Sequence, residues 1–244
     1  MTLSPMNVLT LSDVLVHSIY NPLVRERFAD TDLVISCGDL PDFYLEYVVS
    51  MLDAPLYFVR GNHAPAPMPD ERGLPWESQR EDPHRASGLG QQTKQNADDF
   101  YGGPHGGTNL HRCESQCRGL LLAGVEGSAH YSGGSFQYTQ MEMWGHVLSL
   151  VPGLLMNRIR RGRFLDVFVT HAPPWGIHDQ PDPCHRGIKA FRWLIQVFKP
   201  AYHFHGHIHI YQPGMVTETQ FGRTRVINTY GYRRVVVEPG PGRR

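Results

Sequence analysis

Short apolar runs alternate with helix-spaced patterns in the first quarter of the chain. Three of the runs predict buried strands, at residues 7–12, 32–36 and 55–59. Residues 42–52 carry apolar side chains at helical spacing, and Asn21-Pro22 is typical of a helix start, opening a helix through Phe28. Strand–helix–strand–helix–strand predicts parallel strands joined by right-handed crossovers.

The second half of the chain returns to ordered patterns. Residues 108–112 and 119–124 predict an antiparallel pair. Residues 139–151 and 154–161 have helical spacing, with a break expected at Pro152-Gly153 because proline interrupts helices. A further helix is expected at 187–198. The remaining predicted strands are 164–170, 201–205, 223–228 and 233–238.

Between these halves, residues 64–107 show little periodicity and hold six of the 19 prolines. Such composition is typical of a surface insertion rather than a core element. A length of 244 residues suits one sizeable domain. We therefore expect a single domain, residues 1–244, with a polar Pro/Gly-rich insertion at about 64–107.

The charge balance and the apolar runs of the chain limit the kinds of binding partner that are expected. Lys+Arg and Asp+Glu are equal at 23 each, so no general attraction to nucleic acid or to an anionic membrane is expected. No apolar run approaches the roughly 20 residues that span a bilayer, and the first residues lack a signal-peptide pattern. A cytoplasmic protein is the expectation. Four cysteines do not form a disulfide framework at this length.

Polar residues follow the predicted strands at five places. They are Asp13, Asp39, Asn62-His63, His171, and the pair His207 and His209. The carboxyl ends of strands in an open α/β sheet form the ligand crevice, so these groups should converge. Carboxylates and imidazoles together suit Mn²⁺, Fe²⁺ and Zn²⁺. Two such ions about 4 Å apart can clamp a phosphate and acidify a bridging water.

The ordered motifs Ser12-Asp13, Gly38-Asp39, Gly61-Asn62-His63, Thr170-His171 and Gly206-His207-Ile208-His209 resemble those of the calcineurin-like metallophosphoesterase superfamily. Residues 171–179 are similar to small bacterial members. The resemblance implies an α/β four-layer sandwich, in which two mixed β-sheets are flanked by helices. It also implies a metal-dependent phosphoesterase that hydrolyses a phosphomonoester or phosphodiester by in-line attack of a metal-bound hydroxide. Two divalent ions (Mn, Fe or Zn) are the implied cofactors, and a small phosphoester is the implied substrate.

Carried over residue by residue, the resemblance implies two metal sites. Asp39 would bridge both ions, and Asp13 and His209 would complete the first site. Asn62, His171 and His207 would complete the second. His63 would bind no metal; it would contact the phosphate or protonate the leaving group.

The first motif of the family is Asp-x-His, and here the histidine position is Leu15. The first site then keeps three protein ligands and the second keeps four, so weaker binding is expected at the first site. His17 is an alternative ligand, although it lies roughly 7 Å further along an extended chain. A metal protein with one ion, bound at the second site, is a further alternative, as is a non-catalytic metal-binding or protein-assembly scaffold.

For several residues the sequence allows two interpretations. Asn62, His63 and Arg186 are candidate substrate contacts; Arg186 precedes a helix start, where N–H groups favour anions, but also fits a solvated loop. Glu126 is either a crevice residue or a turn residue. His178 and Asp179 either orient a ligand histidine or cap a loop. A zinc clip and an ordinary hairpin remain alternatives for His111, Cys113 and Cys117.

Overall fold

Residues 4–63 and 103–240 are described by the computed structural model, and in them the chain forms thirteen strands and four helices. The helices are α1 (Val24–Arg27), α2 (Asp42–Leu52), α3 (Gln140–Arg161) and α4 (Lys189–Phe198). The strands are β1 (Met6–Ser12), β2 (Leu33–Ser36), β3 (Leu56–Phe58), β4 (Gly107–Asn109), β5 (Glu114–Cys117), β6 (Leu120–Val125), β7 (Ser128–Ala129), β8 (Gln137–Tyr138), β9 (Val167–Thr170), β10 (Tyr202–His205), β11 (Glu218–Phe221), β12 (Thr224–Asn228) and β13 (Gly231–Val237).

Two mixed sheets carry the fold. The first has the order β13-β1-β2-β3-β4, with β1 to β4 parallel and β13 antiparallel to β1. The second has the order β11-β12-β10-β9-β6-β5, with parallel central strands and antiparallel edges. The predicted parallel arrangement of the first three strands is therefore confirmed. All parallel strands within a sheet end at the same edge, which brings their terminal loops together.

The alternation of side chains along the strands produces four layers. One buried cluster lies between the two sheets and includes Ile35, Leu122 and Phe204. The neighbouring Val34 faces the opposite way and packs with Tyr44 of α2. In the second sheet, Phe168 packs with Leu194 of α4. Helices thus cover the outer face of each sheet, and the expected four-layer sandwich is confirmed.

The predicted pairing of residues 108–112 with 119–124 is wrong. β4 lies parallel to β3, with Thr108 opposite Tyr57, and β6 pairs instead with β5. The turn between β5 and β6 places Arg118 and Gly119 at positive φ, the conformation of a two-residue hairpin turn. This short turn fixes the antiparallel partner of β6, and β4 becomes the edge of the other sheet.

The predicted break at Pro152-Gly153 is also wrong, because α3 runs through it. Pro152 is exposed, so the backbone carbonyl that it leaves without an intrahelical bond can be hydrated. Leu150 and Leu154 on either side are buried and hold the helix against the second sheet.

The first helix, α1, is shorter than predicted. Asn21 accepts the N–H of Leu23, but the helix spans only Val24–Arg27. Across the described ranges, no helix has both the length and the apolar character that membrane crossing needs.

A buried polar network supports the loop that follows β3. Arg60 and Glu126 form an ion pair with a separation of 3.7 Å, and the hydroxyl of Tyr138 donates to Glu126 at 2.9 Å. His111 accepts the backbone N–H of Glu126 at 3.2 Å through Nδ1. Glu126 therefore lies in the short connection between β6 and β7, with its side chain buried in this network. It neutralises Arg60, whose backbone carbonyl accepts the N–H of Gly127 and ties this loop to β6.

His111 makes this network sensitive to acid. Burial, with neighbouring His146, Arg112 and Arg60, lowers the pKa of His111 from 6.5 to about 3. Below pH 6.5 the unfolded chain therefore binds a proton at the imidazole of residue 111, whereas the folded chain does not bind it until the pH nears about 3. This residue should remove about 1.4 kcal/mol of stability per pH unit between these values.

We expect His111→Gln to abolish that part of the pH dependence. Urea unfolding at about pH 7.5 and about pH 5 would measure the free energy of unfolding for both proteins. The exposed His130→Gln is the matched control and should keep the wild-type slope. An unchanged slope in His111→Gln would show that His111 is not held neutral by the fold.

Candidate metal centre

Three loops of the first sheet bring acidic and amide groups to its carboxyl edge. Asp13 follows β1, Asp39 follows β2, and Asn62 lies in the loop after β3. Asp13 and Asp39 have φ of 65° and 55°, a costly conformation for a residue with a side chain. Gly38 at φ 96° and Gly61 pass so close together that a Cβ on either would clash. The glycines therefore allow the two loops to aim Asp39 and Asn62 inward.

The second sheet supplies the histidines from its own carboxyl edge. His171 follows β9, and His207 and His209 follow β10. Gly206 lies against Asp13 and Ser12, where a Cβ would clash. The backbone N–H of Gly206 donates to the carbonyl of His171 at 3.0 Å. These contacts join the carboxyl edges of the two sheets.

Asp39, His171 and His207 lie at the centre of the cluster. Their ligand atoms lie within 4.8 Å of one another. Nε2 of His171 is 3.3 Å from Oδ2 of Asp39 and 2.8 Å from Oδ1 of Asn62. The rings of His171 and His207 are 4.8 Å apart. Four of the six predicted ligands therefore meet in one place, which is the precondition for their binding a common ion.

Hydrogen bonds orient both central imidazoles. Nδ1 of His171 lies 2.8 Å from the backbone carbonyl of Cys37, and Nε2 of His207 lies 2.8 Å from that of Cys184. A carbonyl can only accept, so the hydrogens sit on these two nitrogens. The lone pair of neutral His207 then lies on Nδ1, and Nε2 of His171, which faces Oδ1 of Asn62, gains its lone pair once the second proton of His171 is lost. This is the arrangement that metal-binding histidines need.

Asp13 and His209 lie beside this group. Both carboxylate oxygens of Asp13 accept the backbone N–H of His207, at 3.1 and 3.0 Å. Nε2 of His209 is 3.7 Å from Oδ1 of Asp13, and its Nδ1 is 2.6 Å from the hydroxyl of Tyr211. His207 therefore connects the two predicted sites, through its side chain to Asp39 and through its backbone to Asp13.

Burial and mutual attraction set the protonation of the group. Burial alone would raise the pKa of Asp39 and lower that of His171, but the attraction between them reverses both directions. Without metal the two therefore form a buried ion pair. Burial and the neighbouring charge of His171 lower the pKa of His207 to about 4, so His207 is neutral at physiological pH. Neutral imidazole is the form that binds a metal.

Leu15 occupies no place in this cluster. It packs with Val16 against the apolar cluster that includes Ile19 and Tyr44, beneath α2. His17, the alternative ligand, is exposed. Within the described residues, the groups of side chains close enough to share an ion include neither His17 nor the set His111, Cys113 and Cys117. The structure thus gives no support to either alternative.

Of the three candidate substrate contacts, Asn62 is buried, whereas His63 and Arg186 are exposed. The side chain of His63 is 57% exposed, with Nε2 3.7 Å from Oδ2 of Asp39, and its backbone N–H donates to the same carboxylate. Arg186 is also exposed. Both remain predicted contacts.

Two residues that the sequence did not single out border the centre. The hydroxyl of Tyr131 accepts from Nδ2 of Asn62 at 3.0 Å, which turns the amide oxygen of Asn62 toward His171. Cys184 supplies the carbonyl that orients His207. The positions of these residues along the sequence do not indicate such roles, because Tyr131 acts from a loop and Cys184 acts through its backbone carbonyl.

The contacts of His178 and Asp179 bear on their two alternative roles, orienting a ligand histidine or capping a loop. Nδ1 of His178 is 2.8 Å from Nε2 of His205, and its Nε2 is 2.9 Å from the hydroxyl of Thr219. His178 therefore contacts a histidine of β10 that is not one of the predicted ligands. Asp179 accepts the N–H of Gly187 and caps the loop.

The donor set fits divalent metal ions. It consists of buried carboxylates, an amide oxygen and imidazoles whose second nitrogens are occupied by hydrogen bonds, a combination suited to Mn²⁺, Fe²⁺ or Zn²⁺. A bound ion would also neutralise Asp13 and Asp39, which are otherwise costly to bury.

Metal binding should release a proton. Since the metal-free pair of Asp39 and His171 holds a proton on His171, an ion must displace it before Nε2 can coordinate. We expect about one proton to be released per chain at neutral pH, and metal affinity to weaken as pH falls. Titration calorimetry with Mn²⁺ in buffers of different ionisation enthalpy measures this number. A binding enthalpy that is the same in every buffer would contradict it.

Comparisons with known proteins agree with the fold described above. A solved crystal structure superposes with a TM-score of 0.55 at 14% identity, covering 97% of this chain and 100% of the other. The crystal structure of TT1561 of Thermus thermophilus gives a TM-score of 0.52 at 14% identity, covering 93% and 90%. Comparison with curated proteins gave no match. The family model for calcineurin-like phosphoesterases matches residues 6–211, and the chain belongs to that family.

Proposed function

We propose that this protein is a metal-dependent phosphoesterase that hydrolyses a small phosphomonoester or phosphodiester. The observation that carries the proposal is the convergence of Asp39, His171 and His207, contributed by both sheets, beside the exposed His63. A purely structural cluster would not need an exposed imidazole beside a buried carboxylate. Family membership supports the same class of reaction.

The residues of the metal centre would have distinct roles in this reaction. Asp39, Asn62, His171 and His207 would hold one ion, and Asp13, Asp39 and His209 the other. When bound, the two ions supply Lewis acidity, polarising the phosphoryl oxygens and acidifying water. Tyr131 keeps the amide oxygen of Asn62 directed toward His171. The carbonyls of Cys37 and Cys184 hold the two imidazoles in the metal-binding tautomer.

His63 has the position of a proton donor to the leaving group. Its backbone N–H is anchored to Asp39 at 3.1 Å, and its ring projects into solvent where a substrate would enter. An imidazolium can protonate an alkoxide as the P–O bond breaks, while water attacks from the opposite side of phosphorus. Arg186, exposed on the loop that orients His207, is a candidate contact for a phosphate oxygen.

Removing His63 should affect poor leaving groups more than good ones. We expect His63→Ala to lower kcat for an alkyl phosphoester by about 100- to 10,000-fold, and much less for a para-nitrophenyl ester, whose leaving group needs no proton. Steady-state rates with Mn²⁺ on both substrates give the comparison. His105→Ala is the matched control, because His105 is exposed and its backbone N–H contacts Glu46 on α2.

Equal losses on both esters would remove the proton-donor role and leave His63 as a phosphate contact. If wild type and His63→Ala gave the same low signal, hydrolysis itself would be absent. The non-catalytic scaffold would then be favoured. Leu15 is the feature of this chain that favours that alternative, since it replaces a ligand of the family motif with an apolar side chain.

The two metal sites should bind with unequal affinity. The site of Asn62, His171 and His207 has four protein ligands with Asp39, whereas Leu15 leaves the site of Asp13 and His209 with three. Calorimetric titration with Mn²⁺ should resolve one tight and one weak event. Asn62→Ala should weaken the tight event and leave the weak one. Two equally tight events in the wild type would show that another group replaces the missing histidine.

A further inference from the structure

A second group of metal-binding side chains lies on the loop that orients His207. Asp182, Cys184 and His185 place a carboxylate oxygen, a thiol sulfur and an imidazole nitrogen within 4.8 Å of one another. Nδ1 of His185 is 2.9 and 3.0 Å from the two oxygens of Asp182. None of the three is among the six ligands predicted for the centre described above. A carboxylate, a thiol and an imidazole are each metal ligands in their own right.

The loop is fixed at both ends and in its middle. Near its ends, the backbone N–H of Ile188 donates to Pro173, and that of Trp175 donates to Ile188. Within it, Gln180 donates to the carbonyl of His185 at 3.1 Å. The carbonyl of Cys184 is bound to His207. The three donors are therefore presented from an anchored backbone.

The thiol distinguishes this group chemically from the first. Thiolate ligands favour Zn²⁺ and other thiophilic ions, whereas the oxygen and imidazole donors of the first centre also suit Mn²⁺ and Fe²⁺. The carboxylate of Asp182 lies beside this thiol and would help an incoming divalent ion to displace the thiol proton.

The group also borders the first centre. The rings of His185 and His207 are 5.4 Å apart, and the side chain of Tyr131 interacts with that of Cys184. The same hydroxyl accepts from Asn62. An ion bound by the loop would consequently lie beside the first centre, with coordination positions left open.

We propose that Asp182, Cys184 and His185 form a separate binding site for a thiophilic divalent cation such as Zn²⁺, adjacent to the centre of Asp39, His171 and His207. Three protein ligands leave room for water or for an oxygen of the substrate. This site does not depend on the hydrolytic activity proposed above, because its ligands are a different set of residues.

Substitution with Co²⁺ tests the site directly. Cobalt bound by a thiolate shows a charge-transfer band in the near ultraviolet, whereas cobalt bound only by oxygen and nitrogen does not. We expect the band in the wild type, its loss in Cys184→Ser, and a weaker band in Asp182→Asn. Cys113→Ser, at an exposed cysteine elsewhere, is the matched control and should keep the band.

A second variant separates this site from the first. Asp39→Asn disables the centre of the proposed hydrolase and should leave the band intact, so the two proposals can fail independently. No band in the wild type, or a band that survives in Cys184→Ser, would overturn the thiophilic site. Loss of the band in Asp39→Asn would overturn its separateness.

Alkylation of the unmodified protein provides a check that needs no folded variant. Iodoacetamide should label Cys184, which is partly exposed, and Zn²⁺ should slow that labelling many-fold while leaving Cys113 unaffected. Peptide mass analysis assigns the label to each cysteine. Equal labelling of Cys184 with and without Zn²⁺ would contradict the proposal.

Discussion

The two sheets meet around the buried contact between Asp39 and His171. Asp39 belongs to the loop after β2 and His171 to the loop after β9, so their 3.3 Å approach joins the carboxyl edges of two different sheets. Two charged groups buried in this way are costly unless they are paired or neutralised by an ion. The sheets must therefore pack in a register that keeps the two loops together. Gly38, Gly61 and Gly206 allow that register because they leave no side chain at the closest approaches.

Much of this edge could be predicted from the sequence, since each polar group follows, within a few residues, an apolar run that predicts a buried strand. The layered fold came from the resemblance carried by those motifs. The partner of β4 could not be predicted: Gly107–Asn109 overlaps the strand expected at 108–112, but its glycine lies against the ring of Phe58 and its backbone pairs with β3. The continuity of α3 could not be predicted either, because the burial of Leu150 and Leu154 outweighs the local helix-breaking effect of Pro152.

The groups that orient the predicted ligands lie beyond the reach of sequence patterns. The carbonyls of Cys37 and Cys184 fix the tautomers of His171 and His207, and any residue type at those positions has a carbonyl. Tyr131 orients Asn62 from a loop whose N–H groups converge on the side chain of Gln137. Such contacts follow from the course of the backbone, so they become visible only when the tertiary structure is known.

Leu15 shows how packing and metal chemistry compete for the same short segment. After β1 the chain turns through Asp13 at positive φ, which buries the carboxylate toward His207 and sends the next residues toward α1 and α2. There Leu15 and Val16 extend the apolar cluster beneath α2. A histidine at position 15 would give up that apolar contact to bind the first ion. The chain instead keeps a continuous outer core and leaves Asp13 to be oriented by the backbone of His207, so the first site depends on the second for its geometry.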